Sequence, residues 1–139
     1  MLYSMQQMTS GRLIIQDHKE QGYKVLFNTK TGAFVRVENE GVDEPFWSKD
    51  GPELIDLSIT NYCNRECNFC YRQSNVNGTH MSMADIENIV LQAKEVGVLQ
   101  IALGGGNPNQ YPKFIELLKL IKSYGIVPSY TTNGMGLTD

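Results

Sequence analysis

Three thiols lie within one stretch of eight residues, Cys63-Asn64-Arg65-Glu66-Cys67-Asn68-Phe69-Cys70, and the chain has no other cysteine. The Cys-x-x-x-Cys-x-x-Cys spacing lets a single loop wrap a compact metal cluster, and soft thiolates are natural ligands for iron–sulfur clusters. A cubane of four irons takes four ligands, so a loop that offers three leaves one iron open to a small molecule. A zinc site that adds His80 would satisfy the same thiols, although zinc motifs usually split their ligands into two pairs across a longer gap. Three unrelated core cysteines fit less well, because Asn61, Asn64, Arg65, Glu66 and Asn68 are too polar for a buried strand. An odd number of clustered thiols argues against a secreted disulfide framework and for a reducing compartment, so a cytoplasmic location is expected.

Two further stretches combine glycine with polar side chains. Gly104-Gly105-Gly106-Asn107-Pro108 permits positive φ angles and close approach of backbone to a ligand, with Pro108 fixing the exit. Thr131-Thr132-Asn133-Gly134 is by itself little more than a turn signal.

The elements around these stretches must bring them together. Residues 12–38 alternate apolar and polar side chains in short runs broken by turn formers, which predicts a small antiparallel meander. From Glu38 to Pro52 the composition shifts to Glu, Asp, Gly and Pro around Phe46 and Trp47, as in a linker that wraps over the next element. A boundary near residue 52 divides an amino-terminal β-rich segment, 1–52, from a second segment, 53–139. There the pattern alternates: a strand at Leu54–Ile59, a helix from Ser82 to a stop at Gly97, a strand at Val98–Leu103, a helix ending at Gly125, and a strand at Ile126–Thr132. Ser82 and Asp85 have the spacing of a capping box, and Ile86, Ile89, Val90 and Ala93 make one apolar stripe. This rhythm predicts an α/β fold with a parallel sheet, in which loops at the carboxyl ends of the strands carry the site. All three polar stretches follow a strand, so they are expected to converge on one rim.

Composition narrows the function classes. A hydrophobic fraction of 41% with 19% charged residues is that of a packed globular chain. A net charge of −3 provides no basic field for a nucleic-acid backbone, and no apolar run approaches a membrane span. Neither nucleic acid nor membrane is an expected partner.

The cysteine spacing, the aromatic Phe69 just before the last thiol, and the place of the loop after the first strand resemble the radical S-adenosylmethionine (radical SAM) signature. The resemblance runs over residues 53–134. It implies that Cys63, Cys67 and Cys70 hold a [4Fe-4S] cluster whose open iron chelates the amino and carboxylate groups of S-adenosylmethionine. In that family the second strand ends in Gly-Gly-Glu-Pro, whose backbone meets the methionyl amino group; Gly105-Gly106-Asn107-Pro108 occupies that place. Asn107 stands for the usual Glu, so the side chain lacks a negative charge toward the amino group. Thr132 and Asn133 resemble the family's Thr-Asn-Gly stretch, which faces the cofactor, and Phe69 would border the adenine. The implied reaction takes one electron from an external donor, cleaves the sulfonium to methionine and a 5′-deoxyadenosyl radical, and abstracts hydrogen from a substrate.

Cys70-Tyr71-Arg72 is similar to radical SAM enzymes that modify peptides, so a peptide or protein is the expected substrate, without auxiliary clusters. An electron-transfer module or a degenerate paralogue retained as a structural partner are the alternatives. The family fold is a partial barrel of successive βα units. Three strands and two helices make its first half, with Gly136–Asp139 beginning a further helix and a second chain or longer product completing the barrel. Val127 and Tyr130 are expected to face the barrel interior.

Overall fold

The computed structural model describes residues 5–41, 50–65 and 67–137. The chain separates into two compact units, Met1–Glu53 and Leu54–Asp139.

In the first unit β1 (Met5–Ser10), β2 (Leu13–His18), β3 (Tyr23–Asn28) and β4 (Phe34–Glu38) form one antiparallel sheet in sequence order. Alternation builds it: Ile14, Gln16 and His18 of β2 and Tyr23, Val25 and Phe27 of β3 are buried and lie opposite one another in register. The one buried imidazole, His18, has Nδ1 2.8 Å from Asp50 Oδ2 and stacks on Tyr23 with centroids 4.2 Å apart. The Arg36 guanidinium lies 3.8 Å above the same tyrosine ring. β1 adds a strand before the expected meander. Met5-Gln6-Gln7-Met8 lacks β-branched residues, so its strand state comes from pairing with β2 rather than from propensity. Phe46 and Trp47, expected to wrap over the next element, lie outside the described residues.

The second unit is a parallel sheet of β5 (Leu54–Thr60), β6 (Gln100–Gly105) and β7 (Val127–Tyr130), adjacent in that order. Helices α1 (Met83–Glu95) and α2 (Phe114–Ser123) connect the strands. At the α1 start, Ser82 Oγ accepts from Asp85 N at 3.1 Å and also donates to the Asp85 carboxylate at 2.6 Å. At its end Gly97 takes a φ of 84°, and Val98 N bonds Ala93 O at 2.9 Å while Gly97 N bonds Lys94 O at 3.1 Å. That paired arrangement satisfies the last carbonyls and uses Val98 in the helix stop, so β6 begins at Gln100 rather than at Val98. Between β6 and α2 a 3₁₀ turn covers Pro108–Gln110.

Ile86, Val90 and Ala93 of α1 pack with Ile59, Ile101, Leu103, Leu117 and Ile121 in one core between helices and sheet. Ile89 is only half-buried. Tyr130 meets Phe114 edge-on at 4.9 Å, which puts it on the helix side. Strand alternation then places Val127 on the opposite face, so the expectation that both residues face the barrel interior is corrected for Tyr130. Thr138 and Asp139 of the expected further helix lie outside the described residues. Among the described residues no helix is long and apolar enough to cross a membrane.

Leu117 is 0% exposed at the centre of this core. Leu117→Ala is expected to lower unfolding free energy by about 2–5 kcal/mol, measured as a displaced urea midpoint with unchanged slope.

Candidate metal centre

The cysteine loop leaves β5 through an irregularity: the register to β6 shifts between Ser58 and Thr60. Thr60 Oγ1 accepts from Tyr62 N at 2.9 Å and lies 2.8 Å from His80 Nδ1. Asn61 N bonds Thr79 O at 2.8 Å, Cys63 N bonds Asn75 O at 3.0 Å, and Ser74 Oγ donates to Asn61 Oδ1 at 2.9 Å. These bonds tie the loop's first limb to its return limb. Short bonds then wind the rest, with Cys70 N on Cys67 O at 3.0 Å and Gln73 N on Cys70 O at 3.1 Å.

The glycine stretch closes the other side. Gly106 N bonds Thr60 O at 2.8 Å and Asn107 N bonds Tyr62 O at 3.0 Å, so the two loops touch backbone to backbone. A Cβ on Gly105, whose φ is +123°, would lie 2.0 Å from Thr60 O, and one on Gly106 would lie 2.1 Å from Tyr62 O. Gly104 has open space at its Cβ position. Glycine at 105 and 106 is therefore required by the cysteine loop itself.

Together these segments enclose a cavity of about 510 Å³. Cys63, Cys67, Cys70, Phe69, Gly105, Gly106 and Asn133 all border it. Phe69 stands at its mouth, 89% exposed. Asn107 and Pro108 are buried behind the rim, and Thr132 is turned to the same place. Asn107, 1% exposed, gives its carboxamide to the loop after β7: Oδ1 accepts from Thr132 Oγ1 at 2.6 Å and Asn133 N at 3.1 Å, and Nδ2 donates to Asn133 Oδ1 at 3.0 Å. Arg72 and Thr131, from the stretches already singled out, also border the cavity, together with Asp56 and Ser58, which sequence reasoning overlooked. Polar side chains at alternate positions of the otherwise apolar β5 were the available signal for those two. Arg72 reaches across to donate to Ser58 Oγ at 2.6 Å.

All three cysteines are free thiols, Cys63 buried and the other two half-buried. The Cys70 thiol titrates below its ordinary value, chiefly because the Ser74 backbone N–H and then that of Arg72 hydrogen-bond the sulfur and favour the thiolate. Among the described residues no three His, Cys, Asp or Glu side chains converge as a single ion requires. One tetrahedral zinc would draw its ligands to about 2.0–2.3 Å. His80, the fourth ligand of the zinc reading, is instead engaged by Thr60 and sits 5.7 Å edge-on to Tyr111. Thiols spread around one cavity suit the corners of a cubane, so this donor set fits an iron–sulfur cluster.

The sequence profile of the Radical SAM superfamily matches residues 57–139. The chain belongs to the radical SAM superfamily. This is a family of enzymes that use a [4Fe-4S] cluster and S-adenosylmethionine. A probable GTP 3′,8-cyclase of Pyrococcus horikoshii is 34% identical over 81 residues, which are 58% of this chain and 26% of that protein. One from Methanothermobacter marburgensis is 39% identical over 87 residues, 61% of this chain and 28% of that protein. The chain thus matches little more than a quarter of the length of these relatives. Among solved structures, SuiB of Streptococcus suis bound to S-adenosylmethionine superposes with a TM-score of 0.65 at 15% identity, covering 96% of this chain and 44% of SuiB. SuiB bound to its precursor peptide SuiA gives 0.66 at 16% identity, with the same coverage. That likeness supports the α/β partial-barrel fold.

Proposed function

We propose that this radical SAM chain binds its cluster through Cys63, Cys67 and Cys70, places S-adenosylmethionine beside it, and serves hydrogen abstraction from a peptide or protein. The carrying observation is that three free thiols of one loop and a glycine rim border a single cavity. When bound, the cluster and S-adenosylmethionine supply one-electron cleavage of the sulfonium carbon–sulfur bond and, from it, hydrogen abstraction. The chain's own residues bind and shield. Gly104 keeps a side chain out of the space beside the thiols, Gly105 and Gly106 let the rim close backbone to backbone on the cysteine loop, Phe69 offers an apolar surface at the mouth, and Asp56, Ser58 and Arg72 offer polar groups on the sheet side. An external one-electron donor is the implied partner. Clustered free thiols suit a reducing compartment, and the cytoplasm is the proposed location.

A peptide substrate is supported by the likeness to SuiB, whose 96% coverage takes in both units, and by the edge position of β4 with exposed Val35 and Val37. The second reading is a purine nucleotide, favoured by the identity of the cysteine-bearing unit to GTP 3′,8-cyclases.

The test uses the full-length protein, reconstituted anaerobically with iron and sulfide. S-Adenosylmethionine is expected to change the electron paramagnetic resonance spectrum of the reduced cluster, and dithionite to release 5′-deoxyadenosine. Deuterium transfer into 5′-deoxyadenosine from labelled peptide or from labelled GTP then separates the two substrates. A cluster that ignores S-adenosylmethionine would mark an electron-transfer module instead.

A further inference from the structure

We infer that Asn133 is a positioning residue that donates an N–H···S bond to Cys63, oriented by Asn107, and thereby raises the reduction potential of the cluster. The inference rests on the proposed ligation of a cluster by Cys63. Asn133 Nδ2 lies 3.9 Å from Cys63 Sγ, and Asn133 borders the same cavity as the thiols. Which end of that amide faces the sulfur follows from its other contacts. Asn133 Oδ1 accepts from Asn107 Nδ2 at 3.0 Å and from Met135 N at 2.9 Å, so the oxygen is held away and the NH₂ is left for Cys63. Asn107 is fixed in turn, because its own Oδ1 takes the Thr132 hydroxyl and the Asn133 backbone N–H.

The state of the sulfur makes this contact matter. As a thiol, Cys63 donates to Arg65 O at 3.4 Å. As a metal-bound thiolate it has no proton to give and can only accept. Cys63 is also the buried thiol of the three, with the least water to solvate its charge. A donor at the sulfur stabilises negative charge, and more so after the cluster takes up one electron from a low-potential donor, a step in which no bond or proton changes hands. Hydrogen bonds to cluster sulfurs are an established control on such potentials. A carboxylate at 107 would offer Asn133 Oδ1 no donor and would attract its NH₂ instead. Asparagine at both positions is therefore one matched device.

The experiment is an anaerobic redox titration, read by electron paramagnetic resonance, of wild type, Asn133→Ala, Asn107→Leu and the double variant, with iron and sulfide counted in each. Expected are equal iron contents, a more negative midpoint for Asn133→Ala, a similar shift for Asn107→Leu, and no further shift in the double variant. Electron–nuclear double resonance after exchange into D₂O is expected to lose one coupled deuteron in Asn133→Ala. An unchanged midpoint and an unchanged deuteron pattern overturn the inference. Iron loss from Asn133→Ala assigns the residue a merely structural role and overturns it too. A wild type that takes up no cluster overturns the proposed ligation, and this inference with it.

Discussion

Each of Cys63→Ala, Cys67→Ala and Cys70→Ala is expected to bind at least about tenfold less iron and acid-labile sulfide than wild type after anaerobic reconstitution. One loop supplies all three proposed ligands, so no other cysteine of the chain can substitute for a lost one. Second-sphere losses at metal sites already cost about 10–100-fold in affinity, and loss of a ligand exceeds them. The main-chain anchors of the loop survive loss of a sulfur: Cys63 is held through its N–H to Asn75 O at 3.0 Å and Cys70 through its N–H to Cys67 O at 3.0 Å. Circular dichroism of the apo variants should therefore match that of wild-type apoprotein. Iron and sulfide at wild-type levels in any one variant would remove that cysteine from the ligand set. Stoichiometric zinc without sulfide in wild type would return the site to the zinc reading.

Periodicity carried the fold. The apolar stripe of α1 and the glycine stops at 97 and 125 are local signals, and the helices form where those signals lie. Strand limits were less legible, because Val98 and Leu99 are as buried as strand residues while Val98 belongs to the helix stop. β1 was invisible to propensity for the reason given by its pairing. At the site, the cysteine spacing is a local signal and was read from sequence. The glycines were read as making room for a ligand, whereas two of them make room for Thr60 O and Tyr62 O. The amide pair of Asn107 and Asn133 joins loops 26 residues apart, and nothing short of the three-dimensional contact distinguishes it from two turn residues.

Gly106→Ala is expected to cost about 3 kcal/mol or more in stability and to abolish most cluster binding, while Gly104→Ala spares both. At 106 the new Cβ would lie 2.1 Å from Tyr62 O and 2.6 Å from its carbonyl carbon, both backbone atoms that no rotamer change can move. The loops must separate by about 1 Å to restore ordinary contact distances. That motion breaks Gly106 N to Thr60 O and Asn107 N to Tyr62 O, two inter-loop bonds each worth about 1 kcal/mol net and more when left unsatisfied. Tyr62 directly precedes Cys63, so the first thiol is carried away from the other two. Gly105→Ala adds backbone strain, since its φ of +123° lies where L side chains are rarely found. At 104 no atom lies within 4 Å of the added methyl, which enters the cavity instead. There the fold and the iron count should match wild type, and the loss should fall on S-adenosylmethionine: a weaker spectral response of the reduced cluster at equal cofactor concentration. Thermal melts, iron analysis and that titration on the three alanine variants separate a rim that shapes the loop from one that shapes the ligand space. Equal iron and stability in Gly104→Ala and Gly106→Ala would show that the backbone contact between the loops is not what holds the thiols in place.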